Sequence, residues 1–356
     1  MISLFKSNRI LLGLGFSGLL LVLFFTTLDF KQLITALLGA NYIYLIPSIL
    51  FYFLGVLVRA LRWQILLRPV KNLSIGRLYP VVVIGYMANN LLPLRLGELV
   101  RSYYLGEREG ISKTVGLATI LLERIFDALI LLCFIAITAI FLPLAPILKG
   151  LGLSVGLPWI LLTVTLSAPF LIVFGFLFIL SKYPEQVQKL VLLLTSKLPL
   201  RISKASSELV GLFIYGLSTL KNPKQLPILV SLSIPIWLFE AMLFFLIFFS
   251  FGFQELFEGI WQMLLIAVLI TSIANIGASL PSSPGGIGLF ELFARESLVL
   301  LSIVGLDRAS SGAYALTVHA ALLIPVILLG QVFLITGDTS LTGLAKKTNI
   351  ESNQID

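Results

Sequence analysis

The stretch SLPSSPGGIGLFE, Ser279 to Glu291, sets two prolines and three glycines inside an otherwise apolar passage and closes it on a carboxylate. Neither Pro nor Gly is at ease in a helix interior, so a helix entering this stretch is expected to break. In a bilayer, backbone groups freed by a break find no water, and they have to be buried in protein or line a wet cavity. The fold turns on what surrounds this break.

The surroundings are those of a membrane protein. Hydrophobic residues make up 58% of the 356 residues and charged ones 12%, whereas soluble domains carry roughly a quarter charged. The apolar runs are long enough to cross a hydrocarbon core as helices and lack the strict alternation of barrel strands. Arg9 is followed by an apolar run to Leu28 with no small-residue cleavage pattern after it, so that run reads as a first membrane helix and not a signal peptide.

Six segments read as full crossings: residues 9–28, 42–67, 114–141, 157–180, 226–251 and 312–336. Two more, Leu78 to Leu105 and Gly259 to Leu301, are each broken near the middle and share an order of residues. The first contains Ala88, Asn89, Pro93, Gly97, Glu98 and Leu99; the second contains Ala274, Asn275, Pro281, Pro284, Gly285, Gly286, Gly288, Glu291 and Leu292. Similar halves of opposite topology make an inverted repeat, which places broken helices against each other near the midplane. The expected fold is an all-α polytopic membrane protein, with about six crossings plus two re-entrant helical hairpins in an inverted repeat. The alternative keeps the broken segments as kinked full crossings, for eight crossings. Residues 1–340 form one transmembrane domain, with a basic amphipathic insertion at 182–225 and a short polar tail at 341–356.

The net charge of +8 is spread in a way that argues against nucleic acid. Lys6, Arg9, Arg68, Lys71, Arg77, Lys346 and Lys347 flank helix ends, and Lys182, Lys189, Lys197, Arg201, Lys204, Lys221 and Lys224 crowd the insertion. The positive-inside rule puts all of these, and both termini, on the cytoplasmic face of a cell membrane. The insertion reads as an amphipathic hairpin on the inner leaflet.

Charges embedded in apolar sequence carry the most information, since each costs roughly 2.5–3.5 kcal/mol near the bilayer centre unless it is paired or hydrated. They are Arg59, Arg62, Arg95, Glu98, Arg101, Glu123, Arg124, Asp127, Glu240, Glu291, Arg295 and Glu296. Spacings of three and four put Glu98 with Arg101, and Glu291 with Arg295, on shared helix faces. Arg59 and Arg62 lie close enough to a cytoplasmic end to snorkel. Arginine forks suit bidentate contact with phosphate, and glycines let a headgroup approach the backbone. Arg95, Arg101, Arg124, Asn90, Gly285 and Gly286 are therefore the candidates for binding a lipid headgroup. Glu98, Glu123, Asp127 and Glu291 would compensate charge or bind protons. Pro93, Gly97, Pro281, Pro284 and Gly288 would break the helices. The bland reading of the same charges is a salt-bridge network that holds the helices together.

Other chemistry finds little support. The single cysteine, Cys133, reads as a small buried hydrophobe, and the single histidine, His319, as a packed or hydrogen-bonded interior residue, so neither a disulfide framework nor a metal site is expected. No cofactor is implied. The sequence has no P-loop and no GxSxG elbow, and Gly285 to Phe290 does not fit GxGxxG.

Three motifs resemble a known family: Asn89 to Arg101 (NNLLPLRLGELVR), Glu123 to Asp127 (ERIFD) and Leu280 to Glu291 (LPSSPGGIGLFE). They look like the transmembrane domain of lysylphosphatidylglycerol synthases, the MprF-type flippase domain that also occurs as stand-alone membrane proteins. The resemblance covers residues 5–340 or so, and its last motif is the most specific. In fused members a soluble domain follows and transfers an amino acid from aminoacyl-tRNA to the lipid. Only about twenty residues follow the last helix here, so the resemblance implies the translocating half and not the synthase. It implies movement between leaflets of an anionic, aminoacylated or glycosylated lipid, without an enzymatic step, at Asn90, Pro93, Arg95, Gly97, Glu98, Arg101, Glu123, Arg124, Asp127, Pro281, Pro284, Gly285, Gly286, Gly288 and Glu291. A membrane-embedded transferase acting on a lipid-linked substrate, and a scaffold for envelope-lipid enzymes, are the rival readings. A homo-oligomer or an envelope-lipid enzyme is compatible as a partner.

Overall fold

The computed structural model describes residues 29–92, 96–142, 182–195, 225–279 and 283–336, with a few single residues among 22–26, 172–175 and 207–215. Most of the expected crossings at 9–28 and 157–180 lie outside the described residues, as do Pro93, Arg95 and Pro281. Within the described residues every regular element is helical. The helices are α1 (Phe30–Gly39), α2 (Leu45–Leu67), α3 (Ile75–Leu91), α4 (Gly97–Glu109), α5 (Lys113–Phe141), α6 (Pro184–Thr195), α7 (Gln225–Ser250), α8 (Ile260–Ala278), α9 (Leu289–Leu300) and α10 (Arg308–Thr336). The chain is an all-α polytopic membrane protein. Residues Tyr42–Leu67, Gln225–Ser250, Ile260–Ala278 and Arg308–Thr336 are long and apolar enough to cross a bilayer. Helix α5 has 29 residues, and so spans about 43 Å at 1.5 Å per residue, but carries Glu123, Arg124 and Asp127.

Two sets of four helices repeat one pattern. In α2 to α5 the lengths are 23, 17, 13 and 29 residues, and in α7 to α10 they are 26, 19, 12 and 29. The packing repeats as well: α3 lies on α4 as α8 on α9, α4 on α5 as α9 on α10, and α2 on α3 as α7 on α8. Across the halves, α3 packs on α10 as α8 packs on α5. Helix α2 packs on its own counterpart, α7, in the most extensive helix contact of the fold.

That central pair runs antiparallel. Tyr44 stacks on Phe249, Phe51 meets Phe239, and Arg62 reaches Ser233, so partners descend one helix as they ascend the other. The Asn41 N–H donates to the Ser250 carbonyl at 2.8 Å, which ties the start of one helix to the end of the other. The halves are therefore inverted. Close approach at the crossing rests on Gly55, where an added Cβ would lie 3.3 Å from the Ile236 carbonyl oxygen.

Each half folds its second and third helices back on each other around a break. In the first, Gly97 opens α4 so close to α3 that an added Cβ would collide with the Gly85 carbonyl and the Asn89 backbone nitrogen. In the second, Gly277 on α8 accepts the Phe293 ring of α9 in the same manner. Helix α3, at 17 residues, and α4, at 13, are each too short for a core of about 30 Å. Helix α8 differs, because its 19 residues suffice for a crossing alone. Lys71 and Arg77 contact Glu109, so both ends of the first hairpin lie on one side.

Helix α6 is amphipathic, with Leu190 and Leu193 exposed. Tyr215, within the insertion, donates to the Pro69 carbonyl at 3.2 Å, on the side of Arg68 and Lys71. Cys133 is exposed on α5, contrary to the expectation of a buried residue. A thiol is apolar enough to face hydrocarbon, so a membrane helix has no need to bury it.

Replacing Gly55 by Leu should destabilise the α2–α7 crossing by about 1–3 kcal/mol through overpacking. Gly76→Leu, at a site with nothing within 4 Å of an added Cβ, should leave stability near that of the parent. Thermal unfolding in detergent compares the two.

Candidate lipid-headgroup site

The turn of the second hairpin lies against the end of α3 in the first. The turn Pro284–Gly286 packs on α3, and an added Cβ at Gly285 would lie 3.5 Å from the Asn90 carbonyl oxygen. Gly285 and Gly286 adopt φ of 64° and 75°, a left-handed conformation that side chains disfavour, which lets the chain reverse against the other hairpin. Beside this junction lies a cavity of about 140 Å³. Tyr52 and Arg59 of α2, Tyr86, Asn89 and Asn90 of α3, and Arg124 of α5 line it from the first half. Trp237 and Glu240 of α7, Asn275 and Ala278 of α8, Ser283, Gly285, Gly286 and Phe290 of the second hairpin, and His319, Leu322 and Leu323 of α10 complete it.

Its charges are held by partners on other helices. Arg59 donates to Glu240 Oε2 at 2.8 Å, with both side chains about 95% buried, and Asn275 donates to Glu240 Oε1 at 2.7 Å. Arg59 also lies over the Trp237 ring, 4.9 Å from its centre, while its Nε makes no hydrogen bond. Arg59 and Glu240 sit at nearly matching positions of α2 and α7, so this pair straddles the axis relating the halves.

Behind the cavity lies a second, denser network. Arg62 donates to Asp127 at 2.8 Å and to Ser233 at 2.7 Å, and its Nε lies 3.9 Å from Glu123. Arg101 donates to Glu123 at 2.7 Å and lies 3.7 Å from the centre of the Trp63 ring. Arg124 contacts Glu98 at 3.4 Å, Asp127 at 3.7 Å and the Tyr86 hydroxyl at 3.3 Å. Arg59, Arg62, Arg101 and Arg124 are thus matched by Glu98, Glu123, Asp127 and Glu240. A buried charge is tolerable only when paired and hydrogen-bonded, and here the pairing closes to neutrality.

Several expectations are corrected by this geometry. Arg59 and Arg62 do not snorkel: both are buried and bonded across helices. Glu98 pairs with Arg124 and not with Arg101; Glu291 pairs with His319 and not with Arg295, which bonds Glu296 and the Phe24 carbonyl instead. Of the arginines proposed for a headgroup, Arg124 borders the cavity and keeps about a quarter of its side chain exposed. Arg101 instead faces a separate void of about 10 Å³, room for about one water. Asn90, Gly285 and Gly286 line the cavity; Glu98, Glu123 and Asp127 lie behind it. Glu291 and Gly288 sit at the start of α9, where the Gly288 N–H donates to Glu291 Oε2 at 2.7 Å. Pro284 begins the turn at the second break and Gly97 the helix after the first.

Sequence reasoning missed Tyr52, Tyr86, Asn89, Asn275 and Trp237 as cavity residues, and it took His319 only as an interior residue. The one signal for Asn89 and Asn275 was their matched place before each break.

A model of the lysylphosphatidylglycerol synthase transmembrane region matches residues 10–330. The chain belongs to that family. It is also similar to a UPF0104 membrane protein of Methanocaldococcus jannaschii, 26% identical over 65% of this chain and 84% of that one. Two UPF0104 membrane proteins of Methanothermobacter thermautotrophicus are 24% and 25% identical, over 77% and 78% of this chain and 78% and 80% of theirs. The family match covers both halves of the repeat and both breaks, so the cavity is built wholly from residues within it.

Removing one member of the rear network should leave an uncompensated charge. Arg62→Leu is expected to destabilise the protein by about 3–5 kcal/mol, and adding Asp127→Asn should recover part of the loss. Unfolding in detergent measures both.

Proposed function

We propose that the protein moves a lipid between membrane leaflets, the headgroup passing through the cavity between the hairpins while the acyl chains stay in the bilayer. One observation carries this reading: a cavity lined by Arg59, Arg124, Asn90 and Asn275 among apolar side chains lies between two inverted halves, beside the turn Pro284–Gly286. Inverted repeats with broken helices at their interface are the architecture of alternating access, in which one half rocks against the other around a central site. Arg124, about a quarter of whose side chain is exposed, would meet a phosphate, with Arg59 on the same cavity wall. The three asparagines can donate to or accept from the rest of the head. The substrate class is a phospholipid, anionic or aminoacylated or glycosylated, and no covalent bond changes.

The orientation follows from charge. Arg68, Lys71, Arg77 and Tyr215 of the basic insertion share one side, and in a cell membrane that side faces the cytoplasm and its anionic leaflet.

Reconstitution into liposomes tests the proposal. Leaflet exchange of a labelled lipid should exceed that of empty vesicles, and Arg124→Gln should slow exchange of an anionic phospholipid at least about tenfold, the scale of one lost charge-assisted contact. The melting temperature should fall less than for Arg62→Leu, because Arg124 and the Glu98 it leaves behind are both partly exposed. Exchange no faster than in empty vesicles, for anionic, cationic and polyprenyl-phosphate lipids alike, would sink the reading.

A further inference from the structure

The turn and the start of α9 in the second hairpin are bonded to α10 through one imidazole ring. His319 Nε2 lies 3.0 Å from the Gly285 carbonyl oxygen, and Nδ1 lies 2.6 Å from Glu291 Oε1. Both side chains are about 95% buried. The other carboxylate oxygen is occupied by the Gly288 N–H, which fixes Glu291 at the start of α9. Phe290 stacks on the ring, 4.2 Å centre to centre and 19° from parallel, so the imidazole plane is held as well.

Proton counting in this arrangement leaves little choice. A carbonyl oxygen only accepts, so Nε2 has to carry a hydrogen. The contact between Nδ1 and Oε1 then needs another, on the ring or on the carboxyl. Together the two side chains hold one proton more than a neutral imidazole beside a carboxylate. Without it, either the Nδ1 lone pair faces the carboxylate, or the ring changes tautomer and the Nε2 lone pair faces the Gly285 oxygen. The bond to a carboxylate is charge-assisted and the stronger of the two, so the neutral ring keeps its hydrogen on Nδ1 and the Gly285 bond is the one lost.

The other charged and titratable groups around this site do not substitute for that proton. Arg59 and Tyr52 of α2, Tyr86 of α3, Arg124 of α5 and Glu240 of α7 share the cavity with His319. Arg59 is matched by Glu240, and Arg124 by Glu98 and Asp127. On α9, Arg295 is turned to Glu296 and the Phe24 carbonyl; on α1, Lys31 is exposed; α8 contributes Asn275, which does not titrate.

The repeat supplies an internal comparison. Arg124 lies eleven residues after the start of α5 at Lys113, and His319 eleven after the start of α10 at Arg308. Each reaches back to the glutamate near the start of the preceding short helix, Glu98 or Glu291. In the first half the cation is a guanidinium, which keeps its proton; in the second it is an imidazole, which need not.

We propose that His319 and Glu291 form the binding site of a coupling proton, whose loss into the cavity releases the Pro284–Gly286 turn from His319 and opens the junction between the two hairpins. The first hairpin is then a fixed wall and the second a movable one. The coupling rests on the transport reading above, whereas the release of the turn does not.

Labelling of a single cysteine at Ser283, in a Cys133→Ser background in liposomes, reads the release without any lipid movement. The labelling rate by a membrane-permeant maleimide is divided, at each pH, by the rate in the same protein carrying His319→Gln, which cancels the ionisation of the thiol. Between about pH 5 and pH 8, the span over which a histidine side chain changes charge, the ratio should rise at least about fivefold. Glu291→Gln should hold the rate low throughout, because a glutamine amide donates to Nδ1 of a neutral ring whose Nε2–H stays on Gly285. It also serves as the divisor if His319→Gln does not fold. A flat ratio, or a Glu291→Gln protein that follows the parent, overturns the proposal. So does lipid exchange that proceeds equally with and without an imposed pH gradient. Absence of exchange in every vesicle, with labelling that responds to pH, counts against the transport reading alone.

Discussion

Every charge inside this fold has to be neutralised by another part of the protein, because the bilayer offers no water to do it. Four arginines and four carboxylates on α2, α4, α5 and α7 meet that condition together. The helices cannot take other positions without stranding one of these ions, and a stranded ion costs several kcal/mol. Tight crossings such as Gly55 against Ile236 are what bring the partners within bonding distance. Lipid tails are as apolar as leucine, so close packing and polar bonds carry the association of the helices.

The same constraint explains the cavity. A hairpin that turns back within the membrane leaves backbone groups at its tip, and these need protein or water around them. The turn at Gly285 is packed against Asn90 of the other hairpin, and its carbonyl is bonded to His319. Asparagines, a serine and an ion pair surround what space remains. The polar site is thus a consequence of how the breaks are accommodated, and the repeat places it at the junction of the halves.

Symmetry in the backbone is not matched in the side chains. The first half carries Glu123, Arg124 and Asp127 on its last helix, while the last helix of the second half carries His319 as its one counterpart among them. The dense network therefore gathers around the first half and α2, while the corresponding place in the second half holds the single pair of His319 and Glu291.

Much of this was legible in the residues. Apolar run lengths dictate helices and a membrane, the matched order of Ala, Asn, Gly and Glu marks two related breaks, and buried charges announce that a network exists. Those properties are local, set by hydropathy and by the backbone chemistry of Pro and Gly. Which charge meets which was decided only in three dimensions. Spacing along the chain suggested Glu98 with Arg101 and Glu291 with Arg295, yet the shortest bonds cross between helices up to 181 residues apart. Helix crossings bring remote faces to bonding distance, and desolvation then selects the geometry that leaves no ion alone. That selection depends on the whole packing, which no window of sequence contains.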